Sequence, residues 1–563
     1  MTQQNLNSDI NMPAPSAPAI DEKKGLSRVA SHGSEKIGQI TRTEESSGAL
    51  HRTLTPRQIH ACKHPDIETI IGLGSSVGSG LFIATGKALA AGGPGTMFIA
   101  YLIVCTGVWA NLQSLGEMTI AFPVSGNFID YAGRWVDPAL AFGAGFAEWL
   151  GWTSVFAAEA VFFVVLVDYW AKGVVPQAAL LSIFNVICLI VFFMPNKIFG
   201  WLQAFGSMVK IVLFLFIIGL SIALIAGAGP TGQKLDGSSW RDGKGFQNGF
   251  TGFANCAMMA IWAVGDQVFI GVMAGEASMP RVSMAHSSTF VPIRVAVMYL
   301  VCVVFIGIIV PSDDPNLLGG SGAAASPFVI AAQNAGLKGI PDLVNTCIII
   351  GIVAIALESI YLPSRVLRTM SLQGLLPARI ANVDDLGRPR WALAITSVVG
   401  VFFAYLSLNE GGNEALNWFI AITSASFFSN WAIIGYSNLR FRQALKAQND
   451  HLLDEEYGWK AALGIFTPIY LIIVSTLLLG GSFTAANFFQ YTIGLLLIIV
   501  FSLAYKVIRR TKWVDPATAD LTTGRNVLRV NEIHYLDGYA RLPAWRRALL
   551  SLGLSPAGGP KSE

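Results

Sequence analysis

The residues of this chain able to do chemistry lie inside long apolar stretches. Glu148, Glu159, Lys210, Asp266 and Glu358 each interrupt a run of hydrophobic side chains. An ionised group at the centre of a lipid-spanning helix costs roughly 3 kcal/mol, so each must face a cavity or a partner and is a functional candidate by default. Lys210 is the cation among them. A buried ammonium can lose and regain a proton during a cycle, the step that coupling to a proton gradient requires; a permanent ion pair is the structural alternative. Glu159 and Glu358 suit three roles equally: partner of that lysine, proton shuttle, or reader of a cationic substrate.

Two further stretches break their own helices. Gly72-Leu73-Gly74-Ser75-Ser76-Val77-Gly78-Ser79-Gly80 puts four glycines in nine positions, which destabilises a helix interior. If the helix unwinds there, its second half starts near Val77 and the N–H groups around Ser75, Ser76, Gly78, Ser79 and Gly80 present partial positive charge, a place for a substrate carboxylate. Close helix packing through small residues is the alternative. The second stretch is Trp262-Ala263-Val264-Gly265-Asp266-Gln267. There Asp266, or carbonyls freed around Gly265, can receive an ammonium, and Trp262 is large enough to close over a bound molecule.

The elements that must hold these residues are membrane helices. The chain is 53% hydrophobic and 13% charged, with mean hydropathy +0.54. About twelve stretches of roughly 20 apolar residues recur between residues 67 and 508, each able to cross a hydrocarbon core as a helix. They lie near 68–90, 95–119, 138–168, 174–194, 200–227, 247–273, 290–311, 340–363, 391–408, 416–437, 462–480 and 486–508. None shows the two-residue alternation of a barrel strand. The expected class is an all-α membrane protein. Residues 1–66 are polar and read as a disordered tail, and residues 509–563 form a second tail. Lys and Arg gather on one side of the spans, among them Arg134, Arg281, Arg365, Arg379 and Arg440, which puts that side and both tails in the cytoplasm. The two interrupted segments, first and sixth, each open a group of five spans, the pattern of an inverted-repeat transporter with two spans outside the repeat.

Other classes recede. A net charge of +3 without a basic-aromatic run argues against nucleic acid. No HExxH, GxSxG or phosphate loop suggests an enzyme, metal or cofactor. Six cysteines without CxxC spacing read as small packing residues.

The residues also resemble a family, the fungal amino-acid permeases of the amino acid–polyamine–organocation superfamily. The markers are Gly78-Ser79-Gly80-Leu81-Phe82, Gly86-Lys87-Ala88-Leu89, Gly93-Pro94, Leu115-Gly116-Glu117-Met118, Asp137-Pro138-Ala139, Ala274-Gly275-Glu276-Ala277 and Gly374-Leu375-Leu376-Pro377, in order over about 440 residues. The resemblance implies a LeuT-like fold of two inverted five-helix repeats plus two helices, and proton symport of amino acids. It also implies substrate at the broken first and sixth helices and a coupling role for Lys210. Departures fall at the site: Asp266-Gln267-Val268 stands for the usual Gly-Thr-Glu, Glu358 for an asparagine, and Gln203 for an acid. The expected partners are an amino acid or related amine, protons and membrane lipid, with ubiquitination machinery at tail lysines Lys23, Lys24 and Lys36. The expected place is the plasma membrane. The rivals are a non-transporting sensor of permease ancestry and a permease for polyamines or choline.

Overall fold

Backbone groups in lipid have no water to bond, so each apolar segment must satisfy them within a helix. The computed structural model is helical at each of the expected segments and has no strand among the described residues. The described residues are 74, 77–124, 126–192, 196–232, 234–241, 243–268, 280–317, 326–384, 387–410, 412–481, 488–528, 530–543 and 545–547. They belong to one compact unit, Leu50–Glu563; a second unit, Met1–Ala49, and the 1–66 segment read above as a tail lie outside them.

The first helix, α1, runs Gly80–Ala121 and opens with a π-helical turn, Gly80–Ala84. It holds the first two expected spans, divided at Gly93, whose φ of 76° breaks the helix ahead of Pro94. A Cβ at Gly93 would fall 2.4 Å from the Lys244 carbonyl oxygen, so only glycine fits there. Then come a short helix α2, Asn127–Trp135, and α3, Pro138–Ala171, capped by the Asp137 carboxylate, which accepts from the Ala139 N–H at 2.8 Å. The chain continues through α4 (Gln177–Phe192), α5 (Asn196–Ile225), α6 (Gly249–Val264), α7 (Pro280–Ile309), α8 (Pro327–Asn334) and α9 (Ile340–Leu372). The last helices are α10 (Arg390–Glu410), α11 (Gly412–Ala447), α12 (Phe466–Gly481), α13 (Phe488–Arg509) and α14 (Val530–Ala540).

Eight helices among the described residues are long and apolar enough to cross a membrane, and α4, α6 and α12 are shorter apolar helices at three more expected positions. The most apolar window of α3 is 89% buried and that of α13 only 17%, so α3 is the central post and α13 lies at the rim. Exposed Trp201, Phe205, Val212 and Leu215 on α5, with Phe402 on α10 and Leu477 on α12, form the apolar surface that lipid would cover. Helix α9 runs beyond the expected 340–363 because Arg365 and Arg368 end the apolar stretch without ending the helix.

Residues 511–528, after α13, are docked on the bundle. The Val514 N–H donates to the Val136 carbonyl at 2.8 Å and the Asn526 N–H to Ala121 at 2.9 Å. Arg134 donates to the Thr523 carbonyl. Arg525 pairs with Asp450 at 2.7 Å. This folded strand of tail marks one end of the bundle, called here the tail-side end.

Candidate functional site

Three other helices pack closely against the start of α1. A Cβ at Gly74 would fall 2.3 Å from Ser207 Cβ on α5, one at Gly78 2.4 Å from Ile355 Cδ1 on α9, and one at Gly80 2.6 Å from Ala263 Cα on α6. The glycines therefore do serve close packing. The helix is interrupted as well: Val77 and Gly78 are non-helical, and the Leu81 and Phe82 N–H groups both turn back to the Gly78 carbonyl at 3.0 and 3.1 Å. Ser75 and Ser76 lie outside the described residues.

Ser79 occupies the N-cap position of this turn, yet its hydroxyl caps nothing. It donates instead to Glu159 Oε1 on α3, both residues being at most 2% exposed. The first-turn N–H groups of the helix are thus left without a side-chain cap. Glu159 Oε2 has no hydrogen-bond partner among the described residues.

Lys210 on α5 is fully buried and within electrostatic reach of both Glu159 and Glu358. Its stem runs past Gly351 of α9, where a Cβ would fall 3.1 Å from Lys210 Cγ. Glu358 accepts from Gln203 Nε2 at 2.9 Å. Three of the five titratable residues singled out in the sequence, Glu159, Lys210 and Glu358, are therefore one cluster, joined to the broken helix through Ser79. Gln203, noted in the sequence only as a departure, is one of its hydrogen-bond donors.

Helix α6 stops at Val264 and passes into a 3-10 turn, Gly265–Val268. Gly265 is buried against Ile261 and Phe427, at 2.9 and 3.0 Å from a would-be Cβ. Two carbonyls near this break already have protein donors: Tyr299 Oη donates to Ala263 at 2.8 Å and Asn127 Nδ2 to Val268 at 2.9 Å. The side chain of Asp266 and residues 269–279 lie outside the described residues. Trp262 is 6% exposed, its ring centroid is 5.7 Å from that of Phe162, and its indole N–H has no partner among the described residues.

Sequence reasoning passed over one buried charge, Glu117, and singled out another, Glu148, without its partners. Glu117, in the second span, is held by Arg442 and Asn438 of α11 and by the Ala461 N–H at 2.9 Å. An acid inside an apolar stretch was the available signal; its partner sits 325 residues away, beyond the apolar part of α11. Glu148 accepts from Trp152 Nε1 at 3.0 Å and Asn430 Nδ2 at 2.7 Å. No cluster of His, Cys, Asp and Glu suited to a metal occurs among the described residues.

Three comparisons with known proteins bear on this arrangement. The family model described as "Amino acid permease" matches residues 69–515. The Candida albicans "Amino-acid permease GAP3" is 31% identical over 497 residues, covering 85% of this chain and 81% of that relative. The Saccharomyces cerevisiae "General amino-acid permease GAP1" is 30% identical over 501 residues, 86% and 83% of the two chains. Among solved structures, the nucleobase-cation-symport-1 transporter Mhp1 is 14% identical with a TM-score of 0.44, over 82% of this chain and 94% of its own.

Proposed function

The chain belongs to the amino acid permease family, an integral, multi-pass membrane protein of amino-acid transport and not an enzyme, and from that premise we propose that it imports amino acids across the plasma membrane in symport with protons. In this reading the tail-side end faces the cytoplasm, with both termini there, which the distribution of Lys and Arg supports.

One observation carries the coupling. Ser79, at the start of the broken helix, donates its hydroxyl to Glu159, and Glu159 shares Lys210 with Glu358. Two carboxylates and one ammonium, all ionised, leave a net negative charge in a medium that tolerates none. A proton, or the ammonium of a substrate, balances it. Binding at Ser79 and protonation of the cluster therefore act on the same charge balance. The substrate carboxylate meets the uncapped N–H groups of Gly78, Ser79 and Gly80, with Ser75 and Ser76, outside the described residues, as the further donors proposed from the sequence. Its ammonium meets Gly265 and Asp266, and Trp262 closes over it. Lys210 carries the coupling, with Glu159 and Glu358 as proton-sharing partners. Alternating access follows if the broken helices rock against α3 and α9 once the charge is balanced. Endocytosis through ubiquitination of the N-terminal lysines belongs to the same reading.

The test is uptake of a panel of labelled amino acids, polyamines and choline in permease-deficient yeast expressing the chain, with and without a protonophore. Protonophore-sensitive accumulation of amino acids is expected. Saturable binding without accumulation would replace transport by sensing, and accumulation indifferent to the protonophore would remove the proton.

A further inference from the structure

We propose that Glu148 is the proton-release station on the inner half of the transport path, an inference that rests on the proton-coupled reading above. Glu148 and Glu159 both lie on α3, eleven residues apart. At about 100° per residue that separation returns to the same helix face within about 20°, and at about 1.5 Å per residue it places Glu148 about 16 Å nearer the tail-side end. One face of the central helix thus carries an acid at the broken helices and a second acid three turns inward.

Glu148 is built differently from the other acids of that end. Glu148 is 6% exposed and, among the described residues, its carboxylate is held only by two neutral donors, the Trp152 indole and the Asn430 amide. Glu117 and Asp137, by contrast, are each paired with a cation, Arg442 and Lys506. The charged groups on the elements packed against this part of α3 include Arg365 and the buried Arg368 on α9, Asp130 and Arg134 on α2, Arg390 at the start of α10, Arg440 on α11 and Lys506 on α13. None of them forms an ion pair with Glu148 among the described residues. Arg365 is instead stacked over the Tyr361 ring at 3.7 Å.

The carboxylate also lines a cavity. Glu148, Trp152, Asn127, Val268, Arg365 and Thr369 are among the walls of a space of about 40 Å³, room for a few waters among polar groups. Asn127 Oδ1, buried in that wall, has no partner among the described residues. Val268 ends the 3-10 turn that follows α6, so the interrupted helix forms one side of the cavity, and movement of that helix changes access to Glu148.

The step is a proton transfer and balances as one. Water carries the proton from the Glu159–Lys210–Glu358 cluster and an O–H bond forms at Glu148. That bond then breaks, the proton passes to water at the tail-side mouth, and the carboxylate returns to Trp152 and Asn430. No bond to substrate is made or broken.

The test uses the full chain in proteoliposomes, with net uptake driven by an acid exterior and exchange of labelled for unlabelled amino acid measured on the same preparations. Exchange returns the carrier with its proton still bound, so it needs no release. Glu148→Gln retains hydrogen bonding, since Asn430 Oδ1 is without a partner and can accept from the new amide after a flip. It is expected to cut net uptake at least about tenfold, leave KM for outside substrate and the exchange rate unchanged, and abolish the slowing of net uptake by internal acid. Glu148→Asp is expected to restore net uptake. Trp152→Phe, which keeps the carboxylate, is expected to shift the internal-pH profile of net uptake and spare exchange. Undiminished net uptake in Glu148→Gln overturns the proposal, as does equal loss of uptake and exchange, the mark of a structural tie between α3 and α11, or an unshifted profile in Trp152→Phe. Protonophore-insensitive uptake by the unmodified protein would instead remove the symport reading and this station with it, a failure visible before any variant is made.

Discussion

The tail-side end and the start of α1 use the same residue types to opposite ends. At the tail-side end Glu117 has Arg442, Asp137 has Lys506, and Asp384 has Arg388 and Arg390. Each of these three carboxylates has a cation of its own, and the charge closes locally. Around Ser79, two carboxylates look to one lysine and to neutral donors, Ser79 and Gln203. A balanced pair holds helices together; an unbalanced trio needs a further positive charge, and that need is what a transporter can use.

The largest effect that would sharpen this contrast is on stability. Arg442→Ala leaves Glu117 fully buried without its cation, a change that costs about 3–5 kcal/mol. Thermal unfolding of the purified protein should fall accordingly, while the protein that does fold transports with normal proton dependence. Loss of proton dependence in that variant would break the comparison.

Lys210→Met should act the other way round. Protonophore-sensitive accumulation should drop about 100-fold, equivalent to about 2.7 kcal/mol, with less loss of unfolding temperature than Arg442→Ala, because Glu159 and Glu358 can be neutralised by protons. Next is Ser79→Ala. It removes a hydroxyl that bonds a carboxylate, worth about 1.5–3 kcal/mol when the group is charged. Uptake at low substrate should fall about tenfold, and Ser79→Thr should restore most of it.

The smallest effect is at an ion pair in the turn between α9 and α10. Burial pushes the Asp384 carboxyl up, but hydrogen bonds from the Arg388 N–H and guanidinium and from Arg390 outweigh it and hold it at about 2. A depressed carboxyl contributes stability above its unfolded value, and that contribution is lost as pH falls through the folded one. Solvent screens the Arg390 share, that side chain being 74% exposed, while the Arg388 pair, 14% and 6% exposed, keeps its share, for a contribution of about 1 kcal/mol. Asp384→Asn should therefore melt slightly lower at pH 7, and the gap from the unmodified protein should close toward pH 2.

Much of this was legible in the residues. Apolar length alone located the helices, because lipid leaves the backbone no other partner. Glycine density marked the break at Gly78, and the cost of a charge in lipid marked Lys210, Glu159 and Glu358. Their convergence on Lys210 was one of three open readings and the tie to Ser79 was not legible: residues 79, 159, 210 and 358 come from four separate segments, and no local pattern encodes which faces meet. The short helices α2 and α8 and the docking of residues 511–528 were missed for a related reason. Their stability comes from contacts such as Asn526 to Ala121 and Arg525 to Asp450, not from an apolar period. The glycines of α1 also had two readings in sequence, packing and unwinding, and the fold uses them for both.

The most direct test of the central claim is amino-acid accumulation in proteoliposomes under an imposed pH gradient, acid outside, comparing the unmodified chain with Lys210→Met at equal amounts of folded protein. The account predicts that the unmodified chain concentrates substrate until the gradient is collapsed, while Lys210→Met does no more than equilibrate it. Accumulation by Lys210→Met equal to that of the unmodified chain would contradict it.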